Sequence, residues 1–86
     1  MTKLAPKTTP PQPTAAEVYA TRRNDVARLL DVLRMHLDIN DKEHTADPAN
    51  WGLVGNLGKV REDLVSLVGF MANMDPEHVE EFLKGG

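Results

Sequence analysis

The sequence predicts an all-α fold, on three observations. Leu53, Leu57, Val60, Leu64, Leu67, Met71 and Met74 recur at steps of four and three, which keeps seven apolar side chains on one side of a helix. A second segment, from Thr14 to about Asp41, carries Tyr19, Val26, Leu29, Leu30, Leu33 and Leu37 on one face, with Ala15 and Val18 extending it. The helix-starting pairs Asp47-Pro48 and Asp75-Pro76 punctuate the chain where the periodicity breaks. The expected architecture is an antiparallel hairpin of helices at about 14–41 and 48–73, plus a short C-terminal helix at about 76–84.

Before the first helix stands a Pro-rich stretch, residues 1–13, with Pro6, Pro10, Pro11 and Pro13 and no apolar pattern. It reads as a disordered tail, leaving 14–86 as a single helical domain. Thr14-Ala15-Ala16-Glu17 has the form of a capping box, in which the Thr14 hydroxyl and the Glu17 carboxylate each accept from the other residue's amide. On the polar side Arg28, Asp31, Arg34 and Asp38 alternate in sign at spacings suited to helical ion pairs and a solvated face. Arg22 sits inside the apolar face near the helix start, placed to snorkel past the end of a partner helix or to pair with an acidic residue there. Val32, Met35 and Ile39 fall outside that face and mark a second contact surface.

Asn40 to Asp47 is polar throughout and reads as the connection. Asp47 is then the expected N-cap of the central helix, with Pro48 at its first position. Away from the main seam, this helix carries Trp51, Val54, Gly58, Val65, Val68, Gly69 and Ala72 on one broad side, interrupted only by Arg61. A helix in a lone hairpin should offer water a wider polar arc. A further partner is therefore expected, from the third helix, from another chain, or from both. Four glycines (Gly52, Gly55, Gly58 and Gly69) each cost about 1 kcal/mol relative to alanine in a helix. Close backbone approach, with Gly58, Gly69 and Ala72 lining a helix–helix contact, is the favoured explanation; irregular first turns, with the helix proper starting near Leu57, are the competing one. Trp51 is read as a core anchor near the hairpin turn, with a binding hot spot as its functional alternative.

The last element opens with an Asp75 cap, Pro76 and Glu77, and Val79, Phe82 and Leu83 form its short apolar face. Gly85 is the expected stop. The terminal Gly85-Gly86 resembles the ending of ubiquitin-like modifiers, but no strand pattern accompanies it and a helix stop is the better reading.

Composition bounds the function. With no cysteine there is no disulfide framework and no thiolate metal site. No apolar run reaches the length of a membrane span, and the N-terminus lacks the h-region of a secretory signal, so a cytoplasmic location is expected. A net charge of −3 and the scatter of Arg22, Arg23, Arg28 and Arg34 among acids make nucleic acid an unfavoured partner. His36, His44 and His78 match no ligand spacing, and the Gly52–Gly58 run lacks the lysine and preceding strand of a phosphate loop. No catalytic, cofactor-binding or metal-ligating residue is assigned, and no enzyme activity is expected.

The stretch Asn50-Trp51-Gly52-Leu53-Val54-Gly55-Asn56-Leu57 resembles an N-W-G-x-x-G-x-L stretch of short bacterial helical proteins of unknown function. The resemblance implies a bacterial or phage origin and carries no activity with it. The expectation for function is a small interaction or assembly module. It pairs with itself as a homodimeric four-helix bundle through Trp51, Val54, Gly58, Val65, Val68, Gly69, Ala72, Val32, Met35 and Ile39, and possesses surface for another protein partner. The alternative is a small nucleic-acid-associated regulator of antitoxin or phage type.

Overall fold

The computed structural model describes residues 12–85. The expectations for residues 1–11 of the tail, and for Gly86, lie outside them. Three helices make up the described chain: α1 (Ala15–Ala46), α2 (Trp51–Ala72) and α3 (Pro76–Gly85), with no strand among the described residues. The chain divides into two units, Met1–Ile39 and Asn40–Gly86.

The capping box forms as expected. The Thr14 amide donates to Glu17 Oε1 at 2.8 Å, and the Glu17 amide donates to the Thr14 hydroxyl at 3.1 Å. The Thr14 carbonyl accepts from the Val18 amide at 3.0 Å, which starts the helical ladder. α1 then runs to Ala46, several residues past the predicted end. Polarity alone does not stop a helix, and Asp41–Ala46 contains neither proline nor glycine. The Thr45 hydroxyl bonds back to the Asp41 carbonyl at 2.9 Å, and His44 sits in the last turn, where the negative helix end favours it. The alternating charges of α1 do not pair. Among the described residues the ion pairs are Lys59–Asp63 and Arg61–Glu80, both outside this helix.

Asp47-Pro48 does not open the central helix. It opens a turn: the Asp47 carbonyl accepts from the Asn50 amide at 3.2 Å, with proline second in the four-residue turn, where its fixed φ fits. Asn50, in extended conformation, is the N-cap, and its side-chain oxygen accepts from the Gly52 amide at 2.9 Å. The helix is regular from Trp51, so the expectation of irregular turns up to Leu57 does not hold.

α2 ends in a Schellman turn. Asn73 takes left-handed dihedrals (φ 57°, ψ 48°), its amide donates to Phe70 O at 3.3 Å, and the Met74 amide donates to Gly69 O at 2.9 Å. Asparagine is the residue that tolerates this conformation after glycine. The turn reverses the chain and lays α3 on the C-terminal half of α2, where the two helices touch. At α3 it is the backbone of Asp75 that accepts the first bonds, from the His78 and Val79 amides, rather than its carboxylate capping them.

Candidate interaction surface

Between α2 and α3 the contact centres on Val65, Gly69 and Val79. Val65 is 8% exposed and Val79 6%, the only buried apolar side chains among the described residues. Gly69 is buried under the turn and α3, and a larger residue would not fit there. A Cβ there would stand 2.8 Å from the Met74 carbonyl oxygen and 3.7 Å from a Val79 methyl. The expected close approach is thus real at Gly69. At Gly58 a Cβ would meet nothing within 4 Å, so no neighbour in the described chain accounts for that glycine.

Arg61, the one charge on that side of α2, finds its partner on α3. Its guanidinium donates two hydrogen bonds to the Glu80 carboxylate, one through Nη1 at 2.8 Å. This fork-to-fork geometry fixes direction as well as charge. The hydrogen bond from Arg61 holds the Glu80 carboxyl below the usual glutamate range, and the same bond holds Arg61 above its ordinary value. On the outer side of α2, Lys59 pairs with Asp63 one turn on at 2.8 Å, which raises the lysine.

The third helix therefore covers part of the broad side of α2 and leaves the rest open. Val65 and Gly69 lie under α3. Val54, Gly58, Val68 and Ala72 stay exposed. Trp51 is 80% exposed, so it is not the core anchor the sequence led us to expect. It is the first helical residue, and the Asn50 side chain caps the helix end beside it. Along the main seam Leu53, Val60 and Leu64 are half-buried, while Met71 and the neighbouring Phe70 are more than four-fifths exposed.

α1 is more open still. None of its residues is buried, and eight of its large apolar side chains are exposed. Tyr19, Val26, Leu29, Leu30 and Leu37 of its main face are exposed, and so are Val32, Met35 and Ile39 of its second surface. Val18, Ala27 and Leu33 are half-buried. An apolar stripe of this length, interrupted by Arg22 near its start, is far from the scattered apolar residues that an ordinary surface carries.

Among the described residues no three acidic or histidine side chains come together as metal ligands, and no helix is long and apolar enough to cross a membrane. His78 and Glu81 border a shallow hollow with Met74 and Phe82 at the outer side of α3. No protein-family model, curated protein or solved structure matches the chain.

Proposed function

We propose that the protein is a non-enzymatic, self-associating interaction module. Two copies form a four-helix bundle from the α1 and α2 helices of each, paired as antiparallel hairpins, and α3 stays clasped on α2. One observation carries the reading: α1 presents its apolar stripe from Tyr19 to Leu37 with no buried residue. Long helices gain most of their stability from packing an apolar face, and domains of this size need more core than Val65 and Val79 supply. A second copy supplies it without any new element, through the two-fold arrangement commonest among oligomers. The remaining exposed surface, with Trp51 and Phe70, is left to a further protein partner, since aromatic anchors of this kind dominate binding energy.

The test is sedimentation equilibrium from low to high micromolar concentration. The expected species has twice the 9.5 kDa chain mass, with helical content falling on dilution. A monomer at every concentration, with full helicity, refutes the proposal. A parallel titration with labelled duplex DNA at low salt checks the competing regulator class, where electrostatic binding is strongest.

A further inference from the structure

The self-association proposed above leaves open which helices meet and in what direction. α1 answers both from its own residues. Read along its exposed face, α1 keeps a seven-residue repeat from Tyr19 to His44. One row is Tyr19, Val26, Leu33 and Asn40; the other is Arg23, Leu30, Leu37 and His44. The second row is polar at both ends, and the first runs from Tyr19, an apolar ring with a polar hydroxyl, through Val26 and Leu33 to the polar Asn40. These are the two rows of a coiled-coil seam.

We infer that α1 pairs with α1 of a second copy, antiparallel, with Leu30 opposite the partner's Leu33. The occupant is a second copy because the seam complements itself in this one register. Val26 then meets the partner's Leu37, Arg23 meets the partner's Asn40, and Tyr19 meets the partner's His44. The Leu and Val layers meet apolar layers, Arg23 meets a polar residue, and Tyr19 meets a histidine through its hydroxyl. The two-fold axis repeats each of these contacts. Arg23 can donate to the asparagine carbonyl and the tyrosine hydroxyl to a histidine ring nitrogen.

One charge pair on the flank agrees independently. In the row beside the seam, Arg22 falls opposite the partner's Glu43, and Leu29 opposite the partner's His36. Arg22 and Glu43 are both exposed and have no ion pair in the described chain. They stand 21 residues apart in one helix, about 30 Å at 1.5 Å per residue, so they cannot meet within a chain. The alternatives all conflict. A parallel pair sets Arg23 beside the partner's Arg23. Sliding the antiparallel pair by one repeat sets Leu30 against the partner's Asn40 in one direction, or Leu33 against the partner's Arg23 in the other. Mismatches of this kind are how polar residues in a seam specify register.

The inference rests on the proposed dimer, and a charge-swap cycle separates the two. The dimer constant is measured by sedimentation equilibrium for the full chain, for R22E, for E43R and for R22E/E43R. Circular dichroism at high concentration checks that these exposed substitutions leave the helices intact. Each single change turns two attractive contacts into two repulsive ones, and the dissociation constant should rise roughly tenfold. The double swap restores both contacts with net charge unchanged, and should return the constant to within about threefold of the starting protein. A wild-type monomer at all concentrations overturns both the dimer and this register. A wild-type dimer whose single variants are unaffected, or whose double variant is as weak as the two losses combined, overturns the register and leaves the dimer standing.

Discussion

Gly69→Ala is the sharpest probe of how α3 is held. The new methyl would stand 2.8 Å from Met74 O, short of the 3.4 Å where ordinary contact begins. The obstacle is backbone, so no rotamer change relieves it. Met74 must move, and its amide is the donor that closes the Schellman turn onto Gly69 O. Losing that hydrogen bond costs about 1 kcal/mol. Displacing α3 also uncovers part of Val79, for about another 1 kcal/mol if half its burial is lost. Against this, alanine gains about 1 kcal/mol over glycine in a helix. The net is destabilisation by about 1 kcal/mol. Gly55 is the matched control, because a Cβ there meets nothing within 4 Å. Gly55→Ala should therefore stabilise by about 1 kcal/mol. The two identical substitutions on one helix should differ by about 2 kcal/mol, with melting temperatures moving some 4–8 °C in opposite directions. Thermal melts followed by circular dichroism, at one protein concentration, read the shift. Amide exchange at Val79 should quicken in Gly69→Ala alone. If Gly69→Ala stabilises as Gly55→Ala does, the close packing of α3 on α2 is refuted.

Further outcomes follow from the caps and the clasp. Asn50→Ala should cost about 1 kcal/mol by removing the bond to the Gly52 amide, whereas Asp47→Ala should cost less, since its carboxylate caps nothing; equal losses in urea melts would contradict the assignment of the cap. Thr14→Ala should fray the start of α1, with Val18 amide exchange rising and the α2–α3 unit unaffected. The Arg61–Glu80 clasp should be sensitive to acid. Glu80 is depressed in the folded chain, so its contribution is full above the ordinary glutamate value near 4.3 and is lost as pH falls through the lower folded value. Glu80→Gln should flatten that acid limb, and an unchanged limb would show that the carboxylate does not report on the clasp.

How far the sequence could be read is clearest at particular residues. The start of α1 was legible, because a capping box is a local device of four residues whose partners are set by chain spacing. The stripe of α2 and the short α3 were legible for the same reason: an apolar face has a period that any helix must obey. The boundary at 46–51 is not legible in the sequence, because Asp-Pro opens a turn as readily as a helix and only the hydrogen bonds of Asn50 decide between them. A lone charge on an apolar face was the one signal pointing to a partner for Arg61. Nothing in the sequence named Glu80, 19 residues away.

What the sequence determined by itself was local: that the described chain is helical, where its apolar faces lie, and that α2 has more of them than one neighbour covers. The tertiary structure alone decided how that surplus is divided. The left-handed Asn73 aims α3 so that Val65 and Gly69 disappear beneath it while Val54 and Gly58 stay open. The reason is physical. Hydrogen bonds within a helix reach four residues and are written in the pattern, but a contact between helices depends on the direction of a turn, which a single residue's dihedral angles set.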